Sequence, residues 1–562
     1  MVETVQAVCR KAAGMMAAGL FRQAEDSLRA LLAEHSGGTQ ADCAPAFQQL
    51  ALAAHRQGRS SEAVALAEHA LGLEPENPEA HFTLGVVLLR AERLDEAARA
   101  FRAALVHDGR MVEAHLNLGN VLKTQGETAV ALNHYRLAVD LRPDLAEAHM
   151  NLGAALRAEG KAAEAVDCCR RALAINPALP GAYLNLANAL VEIGRHDEAA
   201  EAYGCHLSAH PQDAGIWVPF GSVLRLLGRR DEALAAYETA VRLKPDDGMM
   251  RFERGLARLY YGDFAGGWPD YEFRWCEPEL GAERPELAGP QWSGQDLAGR
   301  TIFVHAEQGY GDSLQFARYL PLLVERGAKV IFGGGDEMER LFRPLLSDRL
   351  VWFRNGELPP PYHFHSPLLS LPGYLGTRVE TIPAQVPYLQ ALPDLVEHWR
   401  SRITALAPKG LRVGLVWSGR PTHPNDKRRS FQPEALAPLF QVPGVTLFSL
   451  QKDPRPGHLE ALGQLGTIHP LGSGFADFAD TAAALESLDL LISADTSVAH
   501  LAGALGRPVW TMIPIDRDWR WMPDRADSPW YPTMRLFFQG LDSDWAPVLG
   551  QVAQELGRFK AG

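Results

Sequence analysis

Small residues recur through the first half of this chain at a constant step of 34: Ala17, Ala51, Gly85, Gly119, Gly153, Ala187, Gly221 and Gly255. A second set keeps the same step, at Ala63, Ala97, Ala131, Ala165, Ala199 and Ala233. A third is Pro143, Pro177, Pro211 and Pro245, with Pro75 in register two units earlier. A fixed period of this length leaves few architectures open. Each unit is one supersecondary element that cannot bury its apolar face alone and must stack on its neighbours. The two small residues mark the places where paired helices approach closely, since a larger side chain would push them apart.

The phrases EAHFTLGVVLLRAERLDEAARAFRAAL and EAHLNLGNVLKTQGETAVALNHYRLAV carry this unit plainly. A 34-residue period, a small residue in each of two helices and a closing proline together resemble the tetratricopeptide repeat. The resemblance implies an α-solenoid, a right-handed superhelix with a concave groove, of seven or eight units across about residues 5–275. The first unit is irregular, with GGTQADC inserted after it. The last, 248–276, is degenerate: Gly267 replaces the second-helix alanine and Tyr260, Tyr261, Phe264, Trp268, Tyr271, Phe273 and Trp275 crowd in. Those aromatics are expected to form a join to the domain that follows. Asn117, Asn151 and Asn185 lie one period apart. They either form a peptide-clamping ladder in the groove, by paired amide hydrogen bonds, or are simply a common residue of such repeats.

At 562 residues the chain is too long for one core, so two or three domains are expected. A net charge of -13 argues against a nucleic-acid or anionic-membrane binder. The N-terminal stretch is broken by charge and does not read as a signal peptide. No apolar run of about 20 residues exists for a membrane span. The six cysteines lack C-x-x-C spacing and read as reduced, buried thiols, so a cytoplasmic location is expected.

After Trp275 the composition shifts to a Pro- and Gly-rich connector, and then apolar strands alternate with helices. TIFVH, KVIFGGG and RLVWF read as strands of one parallel sheet, with a helix expected over 336–346. LRVGLVWSG, VTLFSL, TIHP, LDLLISAD and PVWTMI read as strands of a second, with helices near 432–440, 477–487, 497–505 and 543–558. Ligands of such folds bind beyond the carboxyl ends of the strands. Three loops lie there. Gln308-Gly309-Tyr310-Gly311-Asp312 offers glycines for close backbone approach and a carboxylate that serves either as proton acceptor or as plain helix cap. Ser418–Ser430 packs Lys427, Arg428 and Arg429 together, a phosphate clamp or a solvated loop. Asp495-Thr496-Ser497 opens an apolar helix carrying His500, a capped turn whose N-terminus suits an anionic group. Downstream, Trp519 or Trp521 is expected to stack on a base or sugar, or to pack as a hinge, and Arg520 to pair with phosphate. His363 and His365 share a strand face but lack a third metal ligand.

Together these loops resemble the bacterial ADP-heptose–lipopolysaccharide heptosyltransferases, over about 300–540. The most specific piece is D-T-S-V-A-H-L-A-G-A-L-G-R-P, similar to that family's D-[ST]-G-x-x-H-L-A-x-A-L-G-x-P signature. The resemblance implies two facing Rossmann-like lobes of GT-B type and inverting transfer from a nucleotide-diphosphate sugar. It implies Asp312 as base and Asp495, Thr496, Ser497 and His500 at the donor diphosphate and sugar. It implies Lys427 or Arg429 at phosphate, alongside Gly309, Gly311, Ser430 and Arg520 as donor-side residues. Ser497 stands where the family carries glycine, and Pro321 falls later than in heptosyltransferases, so a remodelled acceptor side is expected. Repeats ahead of a GT-B half resemble the protein O-GlcNAc transferases in architecture alone.

The expected layout is a repeat superhelix over 1–276, a linker over 277–298, an acceptor-side lobe over 299–392 and a nucleotide-sugar lobe over 393–562. The expected function is a glycosyltransferase with no cofactor beyond its nucleotide-sugar donor. Its acceptor is a polypeptide or saccharide, protein partners dock on the repeats, and no nucleic acid or integral membrane segment is involved. The alternatives are a catalytically inactive repeat scaffold and an epimerase of GT-B form.

Overall fold

The computed structural model describes residues 2–34, 40–282, 284–354, 359–422 and 425–559. The chain packs as two compact units, Met1–Pro211 and Gln212–Gly562.

The first unit consists of antiparallel helix pairs: 2–17 with 21–34, 44–56 with 60–73, 78–90 with 94–107, 112–124 with 128–141, 146–158 with 162–175, and 182–192 with 196–209. The periodic small residues do what their spacing implies. A Cβ on Gly85 would lie 2.5 Å from the ring of Phe101, and one on Gly119 2.6 Å from that of Tyr135. In both cases the partner lies sixteen residues on, in the second helix of the pair. Ala63, Ala97, Ala131, Ala165 and Ala199 are fully buried. Ala17 is a correction to the series: it ends its helix exposed, and Ala12 fills the core instead. Of the inserted GGTQADC, Gly37, Gly38 and Thr39 lie outside the described residues, and Gln40–Cys43 forms a single 3-10 turn.

Two further periodic devices went unread in the sequence. His81, His115 and His149 stand one period apart, and each ring Nε2 bonds the carbonyl six residues earlier, of Pro75, Gly109 and Pro143, at 2.8, 3.1 and 2.9 Å. Each imidazole thereby ties its helix to the preceding turn. Between paired helices the backbone turns through positive φ at Gly58, Gly126, Gly160 and Gly194, and at Glu92 (φ 60°), the in-register residue that lacks glycine's freedom.

The second unit begins with two more pairs, 214–226 with 230–243 and 248–260 with 264–271. It continues into two parallel sheets. The first comprises β1 (Thr301–His305), β2 (Lys329–Gly334), β3 (Leu350–Arg354) and β4 (Phe364–Pro367), in the order β3-β2-β1-β4. The second comprises β5 (Leu411–Val416), β6 (Val445–Ser449), β7 (Ile468–Pro470), β8 (Leu490–Ala494), β9 (Val509–Ile513) and β10 (Met534–Phe538), in the order β10-β9-β8-β5-β6-β7. β8 and β9 are buried at every position, as both-face burial of a parallel sheet requires.

Strand β10 was missed and β4 was read only as the strand face of His363 and His365, not as part of the sheet, because MRLFF and HFHSP sit in turn-rich surroundings that mask a short run. The single helix expected over 336–346 is instead three short pieces, Asp336–Met338, Glu339–Phe342 and Arg343–Leu345. Pro344 sits in the last of them. In the connector, the Trp292 side chain is fully buried and its backbone N–H bonds the His365 carbonyl at 2.7 Å. No helix among the described residues is long and apolar enough to cross a membrane.

The aromatics of the last helix pair pack as a join, as their crowding implied. Trp519 sits edge-on to Phe264, Trp268 and Tyr271 at 6.0, 5.3 and 6.0 Å between ring centres. The Trp268 indole N–H reaches the Thr377 carbonyl at 2.9 Å.

Candidate functional site

Residues Tyr310–Phe316 form the helix that follows β1, and Ser497–Ala504 the helix that follows β8. The starts of these helices meet. A Cβ on Gly311 would lie 3.0 Å from the His500 ring and 3.7 Å from the Ser497 Cα. Glycine at 311 therefore lets the carboxyl-end loops of the two sheets close on each other.

Asp312 uses both carboxylate oxygens. Oδ2 accepts the Gly309 N–H at 3.0 Å, which is the capping role, and Oδ1 pairs with the Arg520 guanidinium. Burial raises its pKa above the ordinary aspartate value, and the Arg520 charge opposes that rise. Arg520 is itself buried, bonded also to Asp518 at 2.8 Å, and lies over the Trp519 ring. The expected phosphate ligand is thus held by two carboxylates, with its Nε atom buried and unbonded.

Asp495 is not the helix cap. Thr496 takes the N-cap position without a side-chain cap bond, its hydroxyl lying 3.2 Å from that of Ser493. The Asp495 carboxylate instead accepts the Trp521 indole N–H at 2.8 Å, and its backbone carbonyl accepts from Arg429 at 3.2 Å. Burial pushes the Asp495 carboxyl up to about 6. His500 stacks on Trp521 with ring centres 5.3 Å apart, and its Nδ1 shares a hydrogen bond with the Tyr531 hydroxyl at 3.0 Å. Burial, aided by Arg520, Arg318 and Arg429, depresses His500 to about 3, so the ring is neutral.

Of the two readings of Trp519 and Trp521, burial favours packing over a base-stacking platform, since both lie within protein packing at 4% and 1% exposure. The cation loop divides. Arg429 lies half-buried against Gly419, where a Cβ would come 2.5 Å from its guanidinium. Lys427 is exposed, and Arg428 reaches away to Asp516 at 2.9 Å. The Ser430 hydroxyl bonds Asp426 at 2.7 Å and accepts the Gly419 N–H at 3.1 Å, shaping the loop. His363 Nδ1 accepts the Thr301 N–H at 3.0 Å, a use of the ring as a strand-end cap. Among the described residues no cluster of three or more His, Cys, Asp or Glu side chains forms a metal site.

In the first unit, Asn117, Asn151 and Asn185 are half-buried on successive first helices. The Asn117 amide bonds the Glu113 carbonyl of its own helix at 2.8 Å. Site residues the sequence reading missed are Trp521 as partner of Asp495 and Tyr531 as partner of His500. Both lie in an aromatic-rich tail whose contacts no spacing rule reports.

The chain matches tetratricopeptide-repeat family models over residues 49–114, 116–180 and 220–266, and again over 156–217. The helical half is a tetratricopeptide-repeat array. Stacked repeats of this kind present extended surfaces to protein partners. The protein FlbA of Caulobacter vibrioides is 30% identical over 341 residues, covering 56% of each chain. The chain thus spans little more than half the length of that curated relative. Among solved structures it is similar to PilF of Pseudomonas aeruginosa, 24% identical, covering 38% of this chain and 94% of that one, with a TM-score of 0.34. It is also similar to MamA, 27% identical, covering 31% and 96%, with a TM-score of 0.29.

Proposed function

We propose that the α/β half transfers a sugar, with inversion, from a nucleotide-diphosphate sugar to an acceptor hydroxyl, and that the tetratricopeptide repeats recruit the acceptor. The observation that carries this reading is the meeting of Gly311 with Ser497 and His500, which sets Asp312 beside the start of the helix after β8. Asp312 takes the proton of the attacking hydroxyl. The acceptor oxygen bonds the anomeric carbon as the carbon–oxygen bond to the diphosphate breaks. Arg429 and the N-terminal turn of helix Ser497–Ala504 receive the charge of the leaving diphosphate. A carboxylate whose pKa is raised is the stronger base, and Arg520 opposes that rise while holding the carboxylate in place. His500, held neutral, adds no charge of its own and packs against Trp521.

The test is release of nucleoside diphosphate from UDP-, GDP-, ADP- and dTDP-linked sugars by the full chain, with and without magnesium and with a bacterial protein extract as acceptor source. Turnover of one donor by the wild-type chain and none by Asp312→Asn supports the reading. The competing reading is a repeat scaffold whose α/β half binds without reacting. What favours it is the engagement of both Asp312 oxygens, and donor binding without release would establish it.

A further inference from the structure

The terminal repeat pair reaches the base-carrying loop through one buried ion pair. Arg274 belongs to the 3-10 segment Glu272–Cys276 that ends the repeats, and it is fully buried. Its Nε and Nη2 donate to the two oxygens of Glu307 at 2.8 and 2.9 Å, a bidentate pair. Nη2 also donates to the Ser370 hydroxyl at 2.9 Å, and Nη1 to Glu272 at 3.1 Å. One Glu307 oxygen further accepts the Leu369 N–H at 3.0 Å. The guanidinium lies over the Trp275 and Tyr271 rings, 4.8 and 5.2 Å from their centres.

Glu307 stands two residues past the end of β1. The next residue, Gln308, has φ 58°, a left-handed conformation that a side-chain-bearing residue holds only when its surroundings impose it. Gly309 follows, and its N–H is bonded by Asp312. The ion pair thus fixes the near end of a strained five-residue span whose far end is the carboxylate. A buried ion pair is weak evidence of added stability, because desolvation consumes most of its attraction; its better-supported use is to select one geometry.

We propose that Arg274 is a positioning residue: through Glu307 it sets the path of the Gln308–Asp312 loop, so that the last tetratricopeptide repeat is a structural part of the transfer site. This rests on the reading of Asp312 as the base. The placement itself can be tested without that reading.

Arg274→Met, Arg274→Lys and Glu307→Gln are made in the full chain and followed by hydrogen exchange with mass spectrometric detection. The expected result for Arg274→Met is at least tenfold faster exchange in peptides spanning 306–316, with peptides spanning β8 and helix Ser497–Ala504 unchanged. Arg274→Lys, which keeps charge but loses the bidentate fork, should fall between. Should Arg274→Met not fold, Glu307→Gln carries the same expectation. Unchanged exchange at 306–316 overturns the proposal. So does acceleration spread evenly through the α/β half, which marks a merely structural residue. For whichever of the four donors turns over, Arg274→Lys is expected to lower kcat about tenfold or more with donor KM within threefold; equal loss through KM also overturns it. If no donor turns over, the transferase reading fails, and the exchange arm still decides whether Arg274 sets the loop.

Discussion

The Trp521 indole N–H donates to the Asp495 carboxylate at 2.8 Å, while the same indole stacks on His500. An acid that would ordinarily cap a helix is thereby turned away from it, and the first turn of helix Ser497–Ala504 has no side-chain cap from Thr496 either. Unfilled N–H positions at a helix start are the ordinary receptor for an anion. On the proposed reading, Trp521 leaves that turn open to the donor diphosphate by holding Asp495 away from it.

Replacing Asp312 by asparagine preserves shape and removes the proton acceptor. Donor affinity is expected within about threefold of wild type, and kcat to fall by roughly 10²–10⁴, the usual worth of a general base. Calorimetric donor binding beside product formation checks the split. Wild-type turnover by Asp312→Asn removes the base assignment.

Arg429 and Lys427 are separable. Arg429 bonds the Asp495 carbonyl and leaves its Nε buried without a partner, whereas Lys427 is exposed. Arg429→Ala is expected to weaken donor binding by about 10–100-fold, in the range of one charged hydrogen bond, and Lys427→Ala by threefold or less. The reverse order would move the phosphate contact to Lys427.

Stability should depend on pH through two groups of opposite sign. Asp495 titrates near 6 in the folded protein against 3.8 ordinarily. The folded state therefore binds more protons between those values, and its share of stability declines as pH rises through that window. His500 titrates near 3 against 6.5. The unfolded state binds more protons there, so acidification from pH 6.5 costs stability. Asp495→Asn is expected to raise Tm relative to wild type by about 2–6 °C at pH 7 and by little at pH 4. His500→Gln should reduce the loss of Tm between pH 7 and pH 4.5. Scanning calorimetry of both variants at the three pH values decides.

Glu92 holds φ 60° where Gly58, Gly126, Gly160 and Gly194 take the same turn. Glu92→Gly is expected to stabilise the first unit by about 0.5–1 kcal/mol, relief of left-handed strain less the entropy cost of glycine. The urea midpoint of the array measures it; a fall would show that the Glu92 side chain contributes more than its backbone costs.

The repeat half was legible because its small residues encode contact directly: Gly85 against Phe101 and Gly119 against Tyr135 recur at one spacing. The strands of both sheets were legible as apolar runs, except β4 and β10, which are short and set among turns. The site was legible only in its loops. Asp312, Asp495 and His500 were singled out because strand-to-helix turns announce themselves. Their partners Arg520, Trp521 and Tyr531 arrive from a tail with no period, and Arg274 from the last repeat, thirty-three residues ahead of Glu307. Long-range side-chain pairing of that kind leaves no local pattern. Trp519 and Trp521 were left between two readings for the same reason, since an exposed stacking platform and a buried hinge are written with the same letters.

The most direct test is a thermal-shift panel of the wild-type full chain against UDP-, GDP-, ADP- and dTDP-linked sugars, each with and without magnesium. One of them is expected to raise Tm by several degrees at millimolar concentration, and Arg429→Ala to abolish the shift. Stabilisation by none of the four would contradict the transferase reading and leave the α/β half a scaffold.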